Sequence, residues 1–91
     1  MVNMDRPRIP EEVIVPRGRE IYERAVRPVL GPEDGGKFVV IDVLGGGRAV
    51  DDDEEEAFVK ASGQAEAEAL FYFARVGADG AAVPAHRIGA F

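Results

Sequence analysis

Between Lys37 and Glu56 the chain runs through an apolar segment, Phe38 to Leu44, then Gly45-Gly46-Gly47, a short Arg48-Ala49-Val50 return and six consecutive acids, Asp51 to Glu56. Few folds accommodate that order. The apolar segment is a strand, and Val39, Ile41 and Val43 fall on one face while Phe38, Val40, Asp42 and Leu44 fall on the other. Because both faces are apolar, the strand is expected at the centre of a sheet with each side at least partly covered. The glycines supply the turn conformations of a tight hairpin loop. One of Asp51, Asp52 or Asp53 then caps a helix, whose first-turn glutamates face its positive end. The segment therefore reads as a β-hairpin feeding a helix. Asp42 is the exception on its apolar face, and Arg75 or Arg87 on a neighbouring strand is the expected partner for its carboxylate.

The remaining elements follow from spacing and breakers. Residues 1–16 contain Pro7, Pro10 and Pro16 and read as a flexible or docking arm, extended or at most one helical turn begun at Pro10-Glu11-Glu12. Within it, Val13-Ile14-Val15 is long enough to dock as an edge strand or in a partner's groove. Residues 18–29 read as a first helix, with Ile21, Tyr22, Ala25, Val26 and Val29 on one side. Glu20 with Arg24, and Glu23 with Arg27, are i,i+4 pairs in the favourable order, too weak to decide the fold. Pro28 disfavours helical geometry at Arg27, and Gly31-Pro32 ends the segment.

In the helix after the acids, Ala57, Phe58, Ala61 and Ala65 form a narrow apolar stripe, with Gly63 at its end. The passage from Gln64 to Ala69 has no clear assignment. Leu70 to Val76 is a second strong strand, Asp79-Gly80 a turn, and Val83 to Ile88 a final short strand that Pro84 keeps at an edge. The expected class is α+β, in the order α-β-β-α-β-β. It has a small, mainly antiparallel sheet of three or four strands, with helices packed on it and residues 17–91 as one domain.

With 91 residues the chain has room for one small core, and a hydrophobic share of 46% fits a globular domain. The absence of cysteine excludes disulfides, thiolate catalysis and cysteine zinc sites. No apolar run approaches a membrane span and no apolar leader follows Met1, so a cytoplasmic location is expected. The net charge is −6: residues 1–37 carry seven basic and seven acidic side chains, residues 38–91 four and ten. Such an acidic balance disfavours phosphate backbones, and no nucleic-acid partner is expected.

No catalytic, metal or nucleotide signature emerges. The acidic run could suggest a divalent cation, but it lacks the glycine and bidentate glutamate of an EF-hand-type loop, so it reads as a helix start. The triple glycine does not open a helix and is followed by no Lys-Ser or Lys-Thr, so a phosphate cradle is disfavoured. His86 is the only histidine and Ser62 the only serine or threonine, and nothing marks Ser62 as a nucleophile. Arg17, Arg19, Arg24 and Arg27 form the one basic cluster, interrupted by Glu20 and Glu23, and read as a salt-bridged helix surface. Phe71, Tyr72 and Phe73 read as core, although a domain this small can leave one strand face open for a partner.

Five blocks occur in order: Arg17 to Arg24 with Arg27-Pro28, Gly36 to Val43, the acids before Ala57, Arg75-Val76-Gly77, and Ala85 to Gly89. Over about residues 17–89 this pattern resembles a family of small uncharacterised bacterial proteins with RGxxIYE, GKxVVIDV and RIG blocks. The chain departs from that pattern at Pro16, at Gly47 and in the Ala78 to Pro84 insert. The resemblance implies a non-enzymatic, antitoxin-like partner of another protein, one encoded nearby. The expected partner-binding residues are Val13, Ile14, Val15, Arg17, Arg19, Tyr22, Arg24 and Arg27, with no cofactor, metal or catalytic residue. The alternatives are a self-assembling structural subunit, that is a homo-oligomer paired through a strand edge, and a small ligand-binding protein.

Overall fold

The computed structural model describes residues 11–65 and 68–85. Strand β1 (Phe38–Asp42) lies inside a four-stranded antiparallel sheet, between β2 (Arg48–Asp51) and β3 (Phe71–Val76), with β4 (Ala82–Pro84) at the far edge of β3. Helices α1 (Glu11–Ile21) and α2 (Glu54–Ser62) cover its opposite faces. The α+β class and the element order are those expected from the sequence.

The alternation of β1 explains the two-sided packing. Val39, Ile41 and Val43 join Tyr72, Ala74 and Val76 of β3 beneath Tyr22 and Val26. Val40 faces the other way, onto Ala57 and Ala61 of α2, which are fully buried. Phe58 closes this second layer against β3, edge-on to Phe71 with ring centroids 5.1 Å apart and stacked on Phe73 at 6.0 Å. Small alanines at i and i+4 let α2 approach the sheet, and the aromatic contacts beside them contribute beyond area burial.

Local chemistry fixes the hairpin and the start of α2. The Gly46 N–H donates to the Asp42 carbonyl at 2.8 Å and the Asp42 N–H to the Gly47 carbonyl at 2.7 Å, with Gly46 at φ +88°. That left-handed conformation favours glycine. Asp53 is the N-cap, its side chain accepting the Glu55 N–H, and Gly63 stands at the C-cap.

The first helical segment differs from expectation. Helix α1 begins at Glu11 and runs through Pro16, so Val13, Ile14 and Val15 are helical rather than part of an extended arm. An interior proline costs about 3 kcal/mol of helix stability. Here Ile14, Val15 and Ile21 pack against the core formed by Tyr22 and Val26, and tertiary burial outweighs the local preference. Beyond Ile21 the helix widens into a π-turn, Tyr22–Val26, closed by the Arg27 N–H on the Tyr22 carbonyl, and then tightens into a 3-10 turn, Arg27–Val29. Arg27 is helical (φ −56°, ψ −40°) despite the proline after it. Pro28 has no N–H to give, and the change of pitch falls where the ladder would lose that donor. Val29, expected on the apolar side, is 77% exposed because the altered pitch turns it outward.

Asp42 is a second correction. Arg75 is not its partner: the register sets Arg75 opposite Phe38, and its guanidinium carbon lies 5.0 Å from the Phe38 ring centre. Asp42 lies opposite Phe71, four residues along the strand, about 14 Å away at ~3.4 Å per residue. The buried carboxylate instead accepts main-chain N–H groups through Oδ1, from Leu44 at 3.0 Å and Leu70 at 3.3 Å. It ties the exit of β1 to the entry of β3.

The unassigned passage after α2 also acquires a role. The Gln64 side-chain amide donates to the Arg48 carbonyl at 2.9 Å and accepts the Arg48 N–H at 3.2 Å, so both outward main-chain groups of that β2 residue are satisfied. A side chain thus stands where another strand could pair. The arm before residue 11, Ala65's neighbours at 66 and 67, His86, Arg87 and the expected continuation of the last strand to Ile88 lie outside the described residues.

Candidate functional site

Helix α1 lies on the sheet with Gly18 against Tyr72. A Cβ on Gly18 would fall within contact distance of Tyr72 Cγ and Cδ2 and 2.6 Å from its Cβ. Ile14, Gly18, Tyr22 and Val26 recur every four residues, so one stripe of the segment is used for packing. Glycine at its centre lets the backbone approach closely. The neighbouring positions then project outward or toward the helix's flank.

This geometry sorts the residues singled out for partner binding. Tyr22 is fully buried, and its hydroxyl donates to the Gly80 carbonyl at 2.7 Å. Burial holds its pKa above the usual tyrosine value. It is a core residue that anchors the β3–β4 turn, and is inaccessible to a partner. Val15 is half-buried against the same core. Arg27 is committed within the fold, donating to both Glu23 carboxylate oxygens at 3.1 and 3.2 Å and to the Asp79 carbonyl at 3.2 Å. Arg24 lies 3.6 Å from Glu20, with its side chain 70% exposed. Arg19 is exposed and makes no ion pair among the described residues.

Val13, Ile14 and Arg17 come together with three residues that sequence reasoning did not include: Val43, Leu44 and Leu70. They line a solvent-open groove of about 330 Å³ between the first turns of α1 and the end of the sheet where β1 exits and β3 enters. Val13 is 52% and Leu44 54% exposed, unusual for side chains of this type so close together. Asp42 holds both Leu44 and Leu70 in place through their N–H groups. The available signal was Leu44 itself, a leucine at the mouth of a glycine turn with no strand left to bury it.

Electrostatically the groove carries one cation and no carboxylate among its lining residues. Arg17 is 4.0 Å from Glu20, at the outer limit of an ion pair, and both side chains are more than half exposed. Such a contact holds the guanidinium weakly. A second depression, about 270 Å³, lies beside the β3–β4 turn and includes Arg27, whose guanidinium is already engaged.

The other candidates are absorbed by the fold. Asp51 accepts Lys60 Nζ at 2.6 Å and the Asp53 N–H at 3.0 Å, and Asp53 caps α2. Lys60, and after it the Asp53 N–H, hold the Asp51 carboxyl below its usual range. Among the described residues no three acids or histidines gather as a metal site. Ser62 Oγ donates back to the Val59 carbonyl at 3.2 Å on its own helix. Tyr72 Oη is buried without a hydrogen-bond partner among the described residues, and burial raises its pKa. No described helix is long and apolar enough to cross a membrane. Comparisons with protein-family models, curated proteins and solved structures find no match to this chain.

Proposed function

We propose that this chain is a non-enzymatic, cytoplasmic protein-interaction module, antitoxin-like in role, that presents the outer side of α1 and the groove beside it to another protein. The observation that carries this reading is the juxtaposition of half-exposed Val13 and Leu44 with the loosely held Arg17 at one end of the molecule. Exposed apolar side chains grouped beside a weakly held charge are the kind of patch that marks an interaction site. Arg19 and Arg24 are exposed further along the same helical segment. Tyr22 and Val15 pack beneath the segment, in and against the core.

The test is purification of the tagged full chain from its native host at moderate salt, with light scattering of the eluate. A stoichiometric second protein, lost on Leu44→Asp, supports the reading. A lone monomer or a homo-oligomer refutes it, the latter in favour of self-assembly through a strand edge. Surface substitutions are the appropriate probe, since removing residues 1–16 would also remove Ile14 and Val15 from the core.

A further inference from the structure

We draw no further inference here: the strongest candidate, the apolar groove between the first turns of α1 and the end of the sheet where Val13, Leu44 and Leu70 come together, belongs to the site already described, and nothing in the structure shows what covers it.

Discussion

Replacing Gly18 by alanine separates local helix preference from tertiary approach, because the two push in opposite directions. In an exposed helix interior the change stabilises by about 1 kcal/mol, as alanine is the better helix former. Here the new methyl group meets Tyr72 Cγ and Cδ2 and stands 2.6 Å from Tyr72 Cβ. Tyr72 is 3% exposed and belongs to the central strand pair, so neither the ring nor its backbone has room to retreat. Overpacking of a close-packed core costs about 1–3 kcal/mol, and the rigid surroundings place this case at the upper end. The net expectation is a loss of about 2 kcal/mol, from the opposing ~3 and ~1 kcal/mol effects. For a domain of this size that lowers Tm by about 8–16 °C and moves the urea midpoint about 1–2 M earlier. The assay is urea unfolding followed by circular dichroism, with Arg19→Ala as the control on the adjacent exposed position, expected within about 0.5 kcal/mol of the parent. A Gly18→Ala protein as stable as the parent, or more so, would show that α1 does not lie on β3 in this way.

Asp42→Ala should destabilise by about 2–4 kcal/mol in the same assay, because two main-chain N–H groups lose a charged acceptor, whereas Asp42→Asn, which keeps an acceptor oxygen, should cost less than half as much. Equal losses would refute the role assigned to Oδ1. Gln64→Ala should speed hydrogen exchange at the Arg48 amide and increase self-association at high concentration by exposing the β2 edge, with little change in Tm; unchanged exchange would remove the edge-covering role. Asp34 is held below the usual carboxyl range by the Gly31 N–H and then Lys37, Asp51 by Lys60, and Asp79 by the Ala81 N–H. Folded values below the unfolded ~3.9 mean that their contribution is present above about pH 4 and lost as pH falls through the folded values. Urea midpoints should decline in that window, less steeply in an Asp34→Asn/Asp51→Asn variant, and an identical slope would count against these pairs. Tyr22 has its pKa raised by burial, so its contribution is present below the unfolded pKa of about 10 and lost as pH rises through the folded value; Tyr22→Phe should weaken alkaline unfolding detected by tyrosinate absorbance.

The features legible in the chain alone are those carried by neighbouring residues. Alternation along Phe38 to Val43 assigned each side chain to its face, glycine chemistry placed the hairpin, and the acidic run narrowed the cap of α2 to Asp51, Asp52 or Asp53, of which the structure uses Asp53. In each case a residue and its near neighbours contain the physical cause. Tertiary structure decided the rest. It carried α1 through Pro16, because burial of Ile14 and Val15 outweighs a local penalty, and changed the helical pitch ahead of Pro28. It set strand order β2-β1-β3-β4 and so separated Arg75 from Asp42, a matter of register across residues distant in sequence. The candidate groove belongs to this second class. Val13, Ile14 and Arg17 could be singled out from the sequence, but Val43, Leu44 and Leu70 join them only when α1 lies over the end of the sheet, at a distance set by a glycine against a tyrosine 54 residues away in the chain. Propensity and periodicity act over a few residues, whereas a surface is assembled by whichever distant segments burial brings together.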